Sequence, residues 1–431
     1  MRANRTDCGA NQLSMRVLWL SHVVPYPPKA GVLLRAYYLL KSLAESNEVD
    51  LIAFVQRPLL QTFYPDVETG LEECRRELAK FCRSVTFLPI ARAVRPFGRI
   101  RTAAEALFAR NGYVASWLES AQARAEITRC VGDRRYDVVH FDSLSVALYR
   151  PLVKDVPATL GHHNAESHML VRRAQHETNL VKKLYFRLEA RRLARYEAQI
   201  AAWFKLHISC SELDSQRLRA VMPAARIVCI PNGVDIEFFT PAGLAPTANS
   251  LIFIGTMNWY PNVDAVNYLL REIWPRVRAL APEITLDIVG AGAPRSIKEL
   301  AARSAGVTLH GFVSDIRPLL ERAALYVCPI RDGGGTKLKI LDALAMHKCI
   351  IAHAVACEGI AVTAGKNVVF AETPDEYVTQ IKRLIADPAQ RHNMGAEARE
   401  LVVQKYSFAA IGAAFTATLR NVADGESAGL S

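Results

Sequence analysis

The chain has 431 residues, 51% hydrophobic and 22% charged, which is too long for one ordinary core and has the balance of a soluble protein of two domains, each of about 200 residues. No apolar run approaches the ~18 residues of a membrane span, and the opening MRANRTDCGANQLS lacks the apolar stretch of a secretion signal. Nine cysteines with no C-x-x-C pair read as reduced core residues of a cytoplasmic protein rather than disulfides or zinc ligands.

The first strand is expected at Val17 to Leu20; because MRVLWLSHVV enters it at once, Met15 is a second candidate start. The Pro/Gly loop SHVVPYPPKAG and an amphipathic helix from about Val32 to Ser46 complete a β-loop-α unit. Further strands are expected at Val49–Val55, Val85–Leu88, Val138–Phe141, Ala158–Gly161, His207–Cys210 and Ile227–Ile230, most of them separated by helical stretches. The net charge of +11 belongs to this half, with 34 Lys+Arg against 24 Asp+Glu up to Thr240 and 19 against 18 beyond. Much of it lies in Arg172, Arg173, Lys182, Lys183, Arg187, Arg191, Arg192 and Arg195, on a segment whose helical periodicity (Leu184, Phe186, Leu188, Leu193, Tyr196) suggests one apolar face. That cluster is either a solvated helix face or a surface for anionic lipid or a phosphorylated acceptor. Nucleic acid is not expected, since no aromatic-interleaved basic strand or zinc-finger spacing accompanies the charge.

Pro231 to Ser250, rich in proline, glycine and small polar residues, reads as a linker. The strand rhythm returns at Leu251–Ile254, Leu286–Val289, Val307–Leu309, Leu325–Cys328, Cys349–Ala352 and Val368–Phe370. Strands of four to seven residues alternating with helices imply two α/β domains, each a doubly wound parallel sheet, with a cleft at the carboxyl ends of both. The most informative segment is PIRDGGGTKLKILDAL, Pro329 to Leu344. Gly333, Gly334 and Gly335 permit positive φ and close backbone approach. The helix expected to open near Thr336 would aim unpaired N–H groups and its positive dipole end at an anion. Lys337 and Lys339 add charge there, and Asp342, about one and a half turns on, offers a carboxylate to a diol such as ribose. The layout points to a phosphorylated ligand.

IPNGVDIEFFTP, GTMNWYPNVDAVNYL, LHGFVSDIRPLL and the glycine-lysine block stand in an order and spacing that resemble the retaining glycosyltransferases of the GT-B fold, in particular glycosyltransferase family 4 and its GGGT-K-L-K members associated with exopolysaccharide. The resemblance implies two Rossmann-like domains: residues 15–235 for the acceptor, a linker over 236–250, residues 251–405 for a UDP- or GDP-sugar donor, and a helix at 406–420 crossing back to the first domain. Hinge motion would centre on the linker and Lys405. It implies sugar transfer to a glycan or lipid-linked acceptor in polysaccharide or envelope synthesis, with peripheral contact to the inner membrane face through the basic N-terminal domain.

Site residues follow from the same resemblance. Of two glutamates that many members carry in this block, the second falls on Asp342 and the first on Gly334, so one carboxylate is missing and Asp332 is the nearest replacement for meeting sugar hydroxyls. The loop after Leu251–Ile254 carries Gly255 and Asn258 but no cation, which leaves Lys337 as the main partner of the diphosphate and Lys339 as the alternative. Gly31 matches the glycine region under the donor, Gly311, Phe312 and Val313 the pocket for the base, and Gly333, Gly334, Gly335 and Thr336 the phosphate loop. His163, with His162 as the alternate, matches a histidine beside the transferring sugar, and Glu166 is its possible support. VGAG, Val289 to Gly292, reads as a plain strand-end turn. No cofactor or metal is expected, because no D-x-D lies near the diphosphate. An epimerase on the same fold or a non-catalytic sugar-nucleotide binder would share much of this pattern; donor turnover with acceptor separates the transferase from the binder.

Overall fold

In the computed structural model, the described residues are 14–29, 31–90, 117–177, 179–333 and 335–425; Cys8 and Gly334 lie outside them. Seven strands form the first sheet: β1 (Arg16–Ser21), β2 (Glu48–Val55), β3 (Ser84–Pro89), β4 (Val138–Phe141), β5 (Ala158–His162), β6 (Leu206–Ser209) and β7 (Ile227–Cys229). They lie in the order β3-β2-β1-β4-β5-β6-β7, every pair parallel. The second sheet holds β8 (Ser250–Ile254), β9 (Thr285–Val289), β10 (Val307–Gly311), β11 (Leu325–Cys328), β12 (Ile350–Ala352) and β13 (Val369–Phe370), in the order β10-β9-β8-β11-β12-β13, also parallel. Each strand expected from the sequence is present, with ends shifted by at most a residue or two. Strand order reverses between β1 and β4 in one sheet and between β8 and β11 in the other, and the crevice outside such a reversal is where open α/β sheets hold ligands.

The strands are apolar because both faces are covered. Val17 and Trp19 of β1 enter one core with Val49, Leu51 and Val138, whereas Leu18 and Leu20 enter a second with Ile52, Phe54 and Val139. That is the alternation of a pleated strand buried on both sides. The helix Phe408–Ala423, whose N-terminus is capped by Ser407 accepting from the Ala410 N–H at 3.3 Å, lies over the first sheet although the second domain precedes it in the chain. Its Phe415 ring meets Trp19 at 5.6 Å and His140 at 5.1 Å between centroids. It passes close to the helix Gly31–Ala44, so close that a Cβ on Gly412 would stand 2.1 Å from Ser42 Oγ. Val234 bridges to Ser407 at the point where the chain leaves and re-enters the first domain.

The basic segment is a hairpin of two helices, Glu166–His176 and Leu180–Ile200. Its apolar face divides: Leu193, Tyr196 and Ile200 are buried, but Leu184 is 59% and Leu188 38% exposed. The eight described cysteines are free, seven of them buried.

Phe415→Ala should lower stability by about 3–5 kcal/mol in urea unfolding, since it empties a site with no exposed surface to collapse into, whereas Leu280→Ala, at an exposed position, should stay within about 0.5 kcal/mol.

Candidate active site

The carboxyl ends of the two sheets face each other, and backbone-to-side-chain contacts of small residues hold them there. A Cβ on Gly335 (φ +71°) would meet Asn164 Oδ1, just after β5, at 2.7 Å; one on Gly31 would touch Leu338 Cδ1 at 3.4 Å. A Cβ on Gly359 would stand 2.8 Å from Ser211 Cβ and 3.1 Å from Thr336 Oγ1. The first residue of the helix Gly31–Ala44 thus lies against the first residue of the helix Leu338–Ala345, so two positive dipole ends converge on one cleft.

The C-terminal wall differs from expectation at the helix start. The helix opens at Leu338, not Thr336, and Lys337 is its N-cap with φ −83° and ψ 93°. That non-helical residue sends its side chain the other way: Lys337 is 3% exposed, its Nζ donates to the Gly333 carbonyl at 2.9 Å and lies 3.8 Å from Glu358 Oε2. Lys337 thereby fixes the glycine loop from beneath, and burial lowers its pKa. Lys339, the expected alternative, is the lysine that reaches the β8 loop. Its ammonium donates to Asn262 Oδ1 and sits 5.6 Å from the ring centres of Phe253 and Trp259. Gly255 lies against both partners, since a Cβ there would stand 2.8 Å from Lys339 Nζ and from Asn262 Cγ. The cation missing from the β8 loop is thus supplied from the facing helix, a long-range substitution that no local motif displays. Burial brings Lys339 down to about 8 and the half-buried Asp342, one turn along, up to about 7.

The VGAG turn is more than a strand end. Gly290 (φ +155°) and Gly292 (φ +80°) let the β9 loop lie against the β8 loop, where a Cβ would meet Gly255 O at 2.0 Å and Asn258 Oδ1 at 2.1 Å respectively. Gly311 (φ +68°) ends β10, and its carbonyl accepts from the Gly290 N–H at 2.9 Å. Phe312 beside it is 79% exposed and Val313 half-buried. Gly333 (φ +115°) packs on Trp259 and Pro261, each at about 3.0 Å from a built Cβ. Thr336 Oγ1 and Glu358 Oε2 are buried beside this loop without a hydrogen-bond partner, a condition that ordinarily marks a ligand or water. Asp332 is engaged: Arg172 of the N-terminal hairpin and the Tyr260 hydroxyl both bind its carboxylate, and Oδ1 accepts from the Gly333 N–H at 2.7 Å. Asp332 thus bridges the domains across the cleft.

On the N-terminal wall, the two histidines of GHHN separate. His162 is buried and its Nε2 lies 3.0 Å from His207 Nδ1, while His207 Nε2 donates to the Ala201 carbonyl at 2.9 Å, a structural chain below the sheet edge. His163 emerges at the edge, with Nε2 3.5 Å from Asp142 Oδ1. His22, following β1, places Nδ1 4.0 Å from Asp142 Oδ2, and the His22 and His163 rings are 5.4 Å apart. Burial holds His22 down at about 4. It also pushes the Asp142 carboxyl up, but His163, His22 and His140 more than offset this and leave it below the ordinary range. Glu166 is close to Glu197, and burial raises it to about 8. Its carboxyl is not among the partners of His163.

The sequence reading thus named the glycine loop, both lysines and His163, and missed His22, Asp142, Arg172, Tyr260, Asn262, Gly290, Gly292 and Glu358. Asp142 had a readable signal, being an acid just after an apolar strand, whereas the others depend on which loops become neighbours.

Gly290→Ala should cost stability and weaken ligand binding at the β8 loop together, because its built Cβ overlaps Gly255 O; thermal unfolding with and without nucleotide reads both.

Residues 30–238 match the family model described as Glycosyltransferase Family 4, and residues 248–387 the model described as Glycosyl transferases group 1. A curated relative, an uncharacterised 44.6 kDa protein in the cps region of Klebsiella pneumoniae, is 21% identical over 368 residues, 83% of this chain and 87% of that one. A sucrose-phosphate synthase from Thermosynechococcus elongatus aligns with a TM-score of 0.66 at 16% identity, covering 95% of this chain and all of the other. Anabaena HepE, solved in complex with UDP and glucose, aligns at 0.62 with 15% identity, covering 94% of this chain and 100% of its own. With glycosyltransferase family domains matched in both halves and two parallel-sheet domains arranged like those of these structures, the chain is a glycosyltransferase of the GT-B fold.

Proposed function

We propose that the chain is a retaining hexosyltransferase, with no metal ion bridging the donor diphosphate, that moves a sugar from a nucleoside-diphosphate sugar to a glycan or lipid-linked acceptor in cell-surface polysaccharide synthesis. The observation that carries this reading is the convergence on one cleft of two helix N-termini, the Gly333–Thr336 loop and the Lys339 ammonium. A departing diphosphate gains negative charge as the glycosidic bond breaks, so fixed positive groups at that point act chiefly on the transition state. In this reading Lys339, with the Leu338 helix N-terminus, meets the diphosphate, and Lys337 keeps the loop in shape. Asp342 accepts from the ribose diol, Phe312 lies against the base, and Thr336 and Glu358 take up sugar hydroxyls in place of the absent first glutamate. His163 orients the transferring sugar. The HepE complex with UDP and glucose and the cps-region relative favour a UDP-sugar and a capsule-like product.

The donor is read by thermal shift with UDP, GDP, ADP and CMP. One diphosphate at about 100 times its Kd should add roughly 2.7 kcal/mol, and no shift with any of them would defeat the reading. Lys339→Ala should weaken that nucleotide about 10- to 100-fold, as expected for a lost charge-assisted contact of about 1.5–3 kcal/mol. The pH dependence has a definite sign. Lys339 binds a diphosphate when protonated and titrates at about 8, so affinity should hold below that pH and fall by up to about tenfold per unit above it. The Lys339→Ala protein should lose this slope.

Peripheral membrane contact is also proposed, through the helical hairpin. No described helix is long and apolar enough to cross a membrane. At the hairpin tip Leu180 is 80%, Val181 78% and Leu184 59% exposed, and Met169 and Val171 are also exposed. Arg173, Lys182, Arg187 and Arg191 stand exposed around them. Apolar side chains ringed by cations fit an anionic lipid surface, where each basic residue contributes about 1 kcal/mol. Co-sedimentation with phosphatidylglycerol vesicles should be at least tenfold weaker for Lys182→Glu/Lys183→Glu and weaker for Leu180→Ser/Leu184→Ser. Equal binding to neutral phosphatidylcholine vesicles would count against the proposal.

A further inference from the structure

The strand reversal of the first sheet carries a second cluster of groups, to which the proposed donor chemistry assigns only His163. His22 follows β1, Asp142 follows β4 and His163 follows β5, three strands that lie side by side in the sheet. One ligand atom from each, a nitrogen of either imidazole and an oxygen of the carboxylate, lies within 4.8 Å of the other two. The shortest contacts run to the two different oxygens of the carboxylate, 3.5 Å from His163 Nε2 to Oδ1 and 4.0 Å from His22 Nδ1 to Oδ2, so the groups would draw in by a few tenths of an ångström or more to reach the ~3.4 Å between ligand atoms that ~2.1 Å bonds give in a tetrahedral site.

The polar accounting of the cluster is incomplete. His22 Nδ1 and His163 Nε2 are out of solvent and neither has a hydrogen-bond partner. Asp142 is 3% exposed, and the Ser21 hydroxyl donates to its Oδ2 at 3.1 Å. Its ion-pair neighbours are three imidazoles, His140 at 3.9 Å being the third. Arg35, which is nearby, is committed to the Ile230 and Pro231 carbonyls and Asn232. A buried carboxylate wants a positive partner. A proton on His163 supplies one, yet leaves His22 Nδ1 orphaned at a distance too long for a hydrogen bond. A single cation between the three atoms satisfies both nitrogens and the carboxylate together.

We propose that His22, Asp142 and His163 form a site for one divalent transition-metal ion of the zinc or cobalt class on the N-terminal wall of the cleft. Two imidazoles and one carboxylate suit such borderline ions, whereas magnesium and calcium favour all-oxygen sets. Three protein ligands leave a coordination position open, as in catalytic rather than structural sites. Asn164, next in the chain to His163, touches Gly335, which sets the ion beside the phosphate loop without making it a ligand of the diphosphate. The expectation of no metal rested on a missing D-x-D near the diphosphate. These ligands come from three separate strand ends, a pattern no short motif reveals.

The test is titration of tag-free, chelator-treated full-length protein with Co²⁺, followed by visible d–d absorption and calorimetry, with Zn²⁺ in competition. The expected result is one ion per chain, displaced by Zn²⁺, and at least 100-fold weaker binding in both His22→Gln and Asp142→Asn. His310→Gln, which removes a His–Asp pair of the other domain (2.7 Å to Asp287), should bind as the parent does. Circular dichroism checks that each variant is folded; should Asp142→Asn fail to fold, His22→Gln decides. No stoichiometric ion, or binding unchanged in His22→Gln, overturns the proposal in favour of a protonated His163–Asp142 pair. Because the readout is the metal and not turnover or nucleotide binding, that failure leaves the donor-site reading standing.

Discussion

The close approach of Gly335 and Gly359 to the carboxyl edge of the first sheet governs the rest of this molecule. A side chain in place of Gly335 or Gly359 would collide with Asn164 or Ser211. At these points the walls meet through backbone and small polar side chains. Such a surface binds anions by geometry as well as charge, because its donors are fixed before a ligand arrives and need not reorganise when charge develops. The Arg172–Asp332 pair crosses the same gap, so domain opening must break an ion pair shielded from much of the solvent.

Keeping the Gly333–Thr336 loop in place requires charge inside the protein. Lys337 is almost wholly buried and tied to the Gly333 carbonyl, and Glu358 lies behind it. Lys339 and Asp342 sit one turn apart with values displaced toward each other, about 8 and about 7. Burial explains both displacements, since it disfavours whichever form is charged. In the proposed donor complex a diphosphate beside Lys339 favours proton uptake, whereas a ribose diol donating to Asp342 favours its ionised form and proton release, so the two linkages oppose each other near neutrality.

The two sheets are built alike and used differently. Each reverses strand order once, and at each reversal the loops carry polar groups aimed into the cleft. In the second sheet these are backbone and lysine groups suited to phosphate. In the first they are imidazoles around one carboxylate, a softer set suited to a proton or a metal. The helix Phe408–Ala423 makes the division possible, because it returns to cover the first sheet and ties the domains at Val234 and Ser407.

The sequence alone determined the architecture. The central strands are short apolar runs because both faces of each parallel sheet are buried there, and that pattern is local. The phosphate loop was legible for the same reason, since its three glycines and two lysines are contiguous. What it could not decide is where side chains go when the deciding neighbour is distant in the chain. A helix start two residues later than expected turned Lys337 into the loop and left Lys339 to serve the β8 loop. His22, Asp142 and His163 lie more than a hundred residues apart from first to last, and only the strand order β1-β4-β5 makes them one site.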